Sequence, residues 1–286
     1  MDKFIYPLGI CNLLLDCNFY QSERWCIAVI NNRDCPLPLI SILTPAYNSS
    51  KYILDAVNSV VSQTYSNWEM LIIDDCSTDG TYEIAEKIAD DRIIVLSTEK
   101  NSGGGAVPRN LALERARGRF VTFLDSDDLF LPQKLEKQVS FMLNNNIGFS
   151  CASYEVIDDS GNSLGKKIYM KDKLDYRGYM LNHLLQTSAV MIDLEKVSKD
   201  CAKAPNIPTE DLATWGQILK SGHDCYGMRE VLAKYRRTKG SISSNKFRSM
   251  KSLWNAYRNV QKLPFLFSSY CFLRNALLAI WKRIYW

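Results

Sequence analysis

Apolar residues in this chain fall into short dense runs, separated by stretches in which they recur every three or four positions. The runs are 39–43, 70–73, 93–96 and 120–124. Between the first two, Tyr52, Ala56, Val57, Val60 and Val61 repeat at helical spacing. The segments 82–89 and 106–116 read the same way, and 131–143 adds a helix with Pro132 in its first turn. The pattern predicts a strand followed by a helix, four times over. Runs without polar alternation belong to strands buried on both faces, and helical crossovers between such strands imply a parallel sheet in an α/β fold. The second half is less regular. Strands are expected at 149–152, 189–192 and 230–235, a helix at 211–219 with Glu210 and Asp211 at its start, and an irregular insert at 166–181. Phe247, Met250, Leu253, Trp254, Tyr257 and Val260 form the stripe of an amphipathic helix. Residues 1–38 show no clear period and end in Cys35-Pro36-Leu37-Pro38, a boundary signal.

Composition sharpens this picture. With 286 residues, 47% hydrophobic and 23% charged, the chain can bury a real core, which excludes a disordered or fibrous protein. The net charge of +4 is an average of unlike parts: residues 229–286 carry 13 basic residues and one acidic residue, and the rest of the chain is net acidic. Such a tail suits an anionic partner, either a membrane surface or nucleic acid. Its bases are interleaved with apolar runs, which favours lipid. Pro264, Arg274 and Asn275 interrupt the run, so an interfacial helix fits better than the ~20 apolar residues of a membrane span. Phe272, Leu273, Leu277, Ile280, Trp281 and Ile284 would face lipid, and Arg274, Lys282 and Arg283 headgroups. The same helix docking on the protein's own core is the alternative. Nine cysteines without a C-x-x-C pair, two histidines and no export signal point to free thiols and a cytoplasmic protein, rather than a zinc site.

In open α/β sheets ligands bind beyond the carboxyl ends of the strands, so the residues that follow each run matter most. These are Thr44-Pro45-Ala46-Tyr47, then Asp74-Asp75-Cys76-Ser77, then Asp125-Ser126-Asp127-Asp128. Clustered carboxylates repel unless a cation or donors intervene, and hard oxygen ligands suit Mg²⁺ or Mn²⁺ with phosphate oxygens completing the shell. The same aspartates also read as plain helix caps. Tyr47 offers a face for a base or simply packs, and Arg109 is a phosphate contact or a surface residue at a helix start. Asn101-Ser102-Gly103-Gly104-Gly105 does not match G-x-G-x-x-G.

Taken in order and spacing, these motifs resemble the inverting family-2 glycosyltransferases of the GT-A fold. The matching stretches run from Ser41 to Asn48, through Ser62-Gln63-Thr64-Tyr65 and Trp68-Glu69 to Ile73-Asp74-Asp75 and the Asp79-Gly80-Thr81 turn. They continue through Asn101-Ser102-Gly103-Gly104, Pro108-Arg109-Asn110, Gly118-Arg119-Phe120 and the 125–128 tetrad. They end with Glu210-Asp211-Leu212, Trp215, Tyr235-Arg236 and Gly240-Ser241-Ile242-Ser243. The resemblance implies a Rossmann-like sandwich with a mostly parallel sheet over 39–245, divided into a nucleotide-sugar half (39–130) and an acceptor half (131–245). Amphipathic helices at 246–286 follow, and 1–38 is an extension of unassigned role. It implies a nucleotide-sugar donor, usually a UDP-sugar, held by Thr44, Pro45, Tyr47, Asp75, Arg109 and Asp127. Asp128, with Asp127, would bind Mn²⁺ or Mg²⁺; Asp211 would be the catalytic base, and Glu210 would orient the site or assist the acceptor. The acceptor would be a glycan or lipid-linked hydroxyl in surface-polysaccharide synthesis, reached at the inner face of the cell membrane through the tail, with no role for nucleic acid. Cys76 stands where the family commonly has glycine, and Pro108 where it has alanine. Competing readings are an inactive membrane scaffold of the same fold, and a haloacid-dehalogenase phosphatase, which would want Thr or Val where Leu129 stands.

Overall fold

The computed structural model describes residues 37–182, 184–238 and 246–285. The expected extension therefore lies, up to residue 36, outside the described residues. The first half follows the predicted alternation: β1 (Ile40–Ala46), α1 (Ile53–Val61), β2 (Trp68–Asp74), α2 (Thr81–Glu86), β3 (Ile93–Ser97), α3 (Ala106–Arg115) and β4 (Phe120–Phe123). Strand β1 pairs in parallel with β2 on one side and β4 on the other, and β2 pairs in parallel with β3. All seven residues of β2 and all but one of β1 are buried, which is why these strands read as apolar runs rather than alternations.

Past β4 the sheet becomes mixed. Strand β5 (Leu129–Phe130) and α4 (Lys134–Asn144) lead to β6 (Phe149–Ile157), β7 (Ser163–Ile168), β8 (Lys173–Leu174), α5 (Tyr176–Leu181), β9 (Val190–Asp193), α6 (Lys199–Ala202), α7 (Glu210–Lys220) and β10 (Cys225–Arg236). The path across the sheet is β3-β2-β1-β4-β9-β6-β10-β5. Strand β9 is antiparallel to both β4 and β6, so β6 and the parallel β10 run in the direction of β4. Their carboxyl ends thus open on the same edge as those of β1, β2 and β4. Strand β5 pairs antiparallel with β10 at Ala233 and Lys234. The acidic tetrad, between β4 and β5, therefore stretches over the ends of the intervening strands.

Two stretches depart from expectation. The 166–181 insert is ordered as β7, β8 and α5. Its face in β7 is mostly exposed, so it shows no apolar period, and α5 starts on the Asp175 carboxylate, which accepts from Gly178 N at 2.7 Å. Helix α4 begins at Lys134 rather than at 131, because Leu131 N donates to Leu232 O and Pro132 O accepts from Thr64 N, both at 2.9 Å.

The C-terminal region is α8 (Lys246–Asn255), a π-helical turn (Ala256–Val260) and α9 (Phe265–Tyr285). Arg274 and Asn275 do not break α9. They turn inward and cap α5: Arg274 donates to Leu181 O, and Asn275 Nδ2 donates to Met180 O at 3.1 Å and to the Tyr257 hydroxyl at 3.0 Å. Arg274 is therefore not a headgroup-facing residue. Ser268 and Cys271 are buried, and Phe272, expected toward lipid, packs edge-on against Trp254 at 5.5 Å. One face of α9 thus docks on the core, as the alternative reading had it. The opposite face leaves Leu266 82% and Leu277 67% exposed, with Tyr270 and Leu273 between them on the same stripe. The side chains of Ile280, Trp281 and Ile284 lie outside the described set. Among the described residues no helix is long and apolar enough to cross a membrane.

Candidate active site

Three turns at the carboxyl edge carry most of the residues expected to hold the donor. The turn after β1 carries Tyr47, 53% exposed, and Asn48 at φ +47°. This turn is braced by the next one: Asn48 N donates to Ser77 Oγ and Thr78 N donates to Asn48 Oδ1, both at 2.9 Å. The Tyr47 ring is thereby held out with a free face. Thr44 is fully buried inside β1 and Pro45 partly so, so neither presents a side chain to a donor as Tyr47 does. Cys76 adopts φ +59°, which explains why a glycine suits this position.

Asp75 is buried, and its carboxylate already has occupants. Thr98 Oγ1 donates to it at 2.8 Å, and Ser102 donates its backbone N–H and its hydroxyl, each at 2.9 Å. Asn101 Nδ2 reaches the Asp75 carbonyl at 2.9 Å. Asp75 therefore organises the 98–102 loop rather than pointing an empty carboxylate outward.

The acidic tetrad divides by environment. Asp128 is fully buried: its Oδ1 accepts from Arg236 N at 2.8 Å, and its Oδ2 from Ser188 Oγ at 2.6 Å and Gln186 Nε2 at 3.4 Å. Burial, then the charges of Asp125 and Asp127, push its pKa well above the usual carboxylate range. Asp128, the expected metal ligand, has both oxygens turned onto protein donors, and Asp127 beside it is the more open carboxylate. Asp125 and Asp127 are the partly open members. Burial and the Asp125 charge push Asp127 up to about 6, against a smaller opposing pull from Arg236. Asp127 is thus an anion short of a cation. Among the described residues no three metal-ligating side chains converge, so a hard divalent ion held here would need further oxygens from a diphosphate.

Arg109 is not a free phosphate contact. One arm, Nη1, pairs with Glu210 Oε1 and the other, Nη2, with Asp125 Oδ1, each at 2.7 Å, and the side chain is largely buried. Burial works against its charge, but Asp125 and Glu210 more than offset this and raise its pKa. Arg109 is a strut between the tetrad and α7. Gly105 leaves room for it: a Cβ there would stand 2.6 Å from Arg109 Nη1 and 2.9 Å from Glu210 Oε1.

Helix α7 is seated by Trp215, whose ring meets Phe123 of β4 at 5.1 Å and Phe149 of β6 at 5.9 Å. One turn before Trp215, Asp211 lies in a small crevice with Arg109, Glu210, Thr214 and Trp215. Asp211 is open to water, yet protein surrounds its carboxylate. That crowding and the Glu210 charge raise its pKa, which suits a general base. Glu210, at the helix start, is held by Arg109.

Sequence reasoning did not find Ser188 and gave Arg236 no role. Ser188 accepts from Asp125 N at 3.1 Å while donating to Asp128. A serine in a chain of this length carries no such signal, whereas Arg236 stood within a matched motif.

The sequence model of glycosyl transferase family 2 matches residues 41–195. The chain belongs to this family. The transferase is 46% identical over 251 residues to TuaG of Bacillus subtilis, provisionally named a teichuronic acid biosynthesis glycosyltransferase; the match covers 86% of this chain and 98% of that protein. It is 36% identical over 248 residues to WfgD of Escherichia coli, named a UDP-Glc:alpha-D-GlcNAc-diphosphoundecaprenol beta-1,3-glucosyltransferase, covering 86% of this chain and 96% of that one. Among solved structures the fold is similar to Staphylococcus aureus TarS 1–349 in complex with UDP-GlcNAc, with TM-score 0.64, 21% identity, and 82% of this chain and 70% of that chain covered. The mannosyltransferase PcManGT of Pyrobaculum calidifontis, in complex with GDP-Man and Mn²⁺, gives TM-score 0.60 at 17% identity, over 89% of this chain and 75% of that one. The GT-A fold and the glycosyltransferase activity expected from the sequence are thereby shown, and the phosphatase reading falls away.

Proposed function

We propose that this transferase moves a sugar, with inversion, from a UDP-sugar to a hydroxyl of a lipid-linked or glycan acceptor in surface-polysaccharide synthesis. The observation that carries the reading is the Arg109 strut. It ties Asp125 of the tetrad, on the proposed donor side, to Glu210 beside Asp211, so the carboxylates read as donor site and base are linked through one side chain. Tyr47 would stack on the uracil, and Asp75 would take the imide hydrogen in exchange for one of its Ser102 bonds. The tetrad fits a divalent cation through Asp127, with Asp125 adjacent. When bound, such an ion neutralises charge on the departing diphosphate. Asp211 would remove the acceptor proton as the hydroxyl attacks from the face opposite the diphosphate. Glu210 is already engaged by Arg109, so a single displacement without a protein nucleophile is the simpler course. WfgD is named for a diphosphoundecaprenol acceptor, and at 36% identity it supports an acceptor of that class.

We also assign membrane-surface docking to the exposed stripe of α9, since no acidic residue follows Glu230 and anionic headgroups would meet a basic tail. The activity reading is tested by thermal shift across nucleotide diphosphate sugars with Mn²⁺ present. Stabilisation by a UDP-sugar is expected, and its absence for every nucleotide tried would overturn the donor assignment.

A further inference from the structure

Arg236, the last residue of β10, donates twice to the tetrad, once from its main chain to a side chain and once from its side chain to the main chain. The Arg236 backbone N–H donates to Asp128 Oδ1 at 2.8 Å, and its Nε donates to the Asp127 carbonyl at 2.7 Å. The rest of the guanidinium is also committed. Nη1 donates to Asp159 O at 3.0 Å, Nη2 reaches Asp55 Oδ2 at 3.4 Å, and the Tyr52 ring lies beneath at 5.0 Å. Asp159 is itself held through its carboxylate by Lys51 and the Tyr52 hydroxyl. One side chain therefore ties the tetrad to the end of β10, the β6–β7 turn and the start of α1.

With its side chain only 2% exposed, Arg236 is not available to a phosphate. Within the tetrad its bonds go to one main-chain oxygen, that of Asp127, and to the buried Asp128 carboxylate, and it makes none with the carboxylate of Asp127. That pattern holds the backbone at Asp127 while leaving the partly open Asp127 carboxylate unengaged by Arg236.

We propose that Arg236 is a positioning residue of the donor site. It sets the main chain of the tetrad so that the Asp127 carboxylate turns outward, with the Asp128 carboxylate clasped inward. The proposal rests on the reading of the tetrad as the cation and diphosphate site. A planar fork is required, since its donors diverge to three segments at once, and a lysine ammonium on a flexible stem cannot reproduce that.

The test compares Arg236→Gln and Arg236→Lys with the full-length wild type. UDP is titrated calorimetrically with and without Mn²⁺, with kcat and KM measured alongside and folding checked by circular dichroism. Arg236→Lys keeps a charge in the buried slot and serves where Arg236→Gln does not fold. UDP affinity in the presence of Mn²⁺ is expected to fall about 10–100-fold in each folded variant, with KM for the donor rising in step. Affinity without Mn²⁺ should stay near that of the wild type. The exposed, weakly bonded Asp55 gives a control: Asp55→Asn should remain within about two-fold. Wild-type affinity with Mn²⁺ in either folded variant overturns the proposal. So does an equal loss with and without Mn²⁺, the signature of a merely structural role. A wild type that binds no UDP under either condition overturns the donor-site reading itself.

Discussion

Asp211 and Asp128 show how position along the same edge separates carboxylates by environment. Asp211 keeps an open oxygen in a protein-walled crevice, and Asp128 spends both of its oxygens on Ser188, Gln186 and Arg236. Asp211→Asn should lower kcat by about 10²–10⁴ while UDP binding persists, read by steady-state kinetics beside calorimetry. Loss of UDP binding would remove Asp211 from the base role. Because its pKa is raised and the base must be ionised, wild-type activity should fall as pH drops through a value above the ordinary ~3.9, and Asp211→Asn should lose that limb. At Arg109 the expected effect is on stability. Arg109→Gln leaves Asp125 and Glu210 facing each other without their shared cation, and should cost about 3–5 kcal/mol in urea unfolding. Gly105→Ala asks less of the fold, since a flexible arm can swing aside. It should keep the melting temperature near wild type and lower kcat by displacing the strut.

At the scale of elements, α7, which carries the proposed base Asp211, is seated by Trp215 packing against Phe123 of β4 and Phe149 of β6. Trp215→Ala should destabilise by about 3–5 kcal/mol and lower kcat in the protein that remains folded, checked by denaturant melts and single-turnover rates. Strands β1, β2 and β4 were legible because both their faces are buried, and burial writes itself into sequence as uninterrupted apolar runs; the half-buried edge strand β3 shows in the sequence as the apolar run 93–96. The 166–181 insert was not legible, since edge strands and a one-turn cap leave no period. The site was half legible for a related reason. Residue types announced carboxylates at strand ends, but only three-dimensional neighbours decide which carboxylate is closed. Asp128 follows Asp127 directly, and nothing in that pair of letters tells that Arg236, over a hundred residues later, takes one of them. Lys134, at a helix start, makes the same point: it is fully buried over the Phe130 ring, donating to Thr122, with burial holding its pKa well below the usual lysine range.

For the whole molecule, the division into an acidic body and a basic tail becomes a division of α9 into two faces. Its inner face is core, so deleting the helix would uncover Trp254 and the Tyr257 region along with any membrane contact. Point changes on the outer stripe separate the two. Leu266→Glu with Leu273→Glu should leave the melting temperature near that of the wild type and abolish co-sedimentation with anionic vesicles. Retained sedimentation would place the membrane contact elsewhere. The path of β5 has a consequence in time rather than in space. The tetrad is spanned between β4, early in the chain, and β10, which ends at Arg236. Pairing at such sequence distance forms late, after the local units have folded. During synthesis the parallel strands and Tyr47 can assemble while the catalytic loop has no far anchor. A nascent chain halted before residue 225 should therefore fold in part and lack the enzyme's activity, which starts only when its last strand arrives.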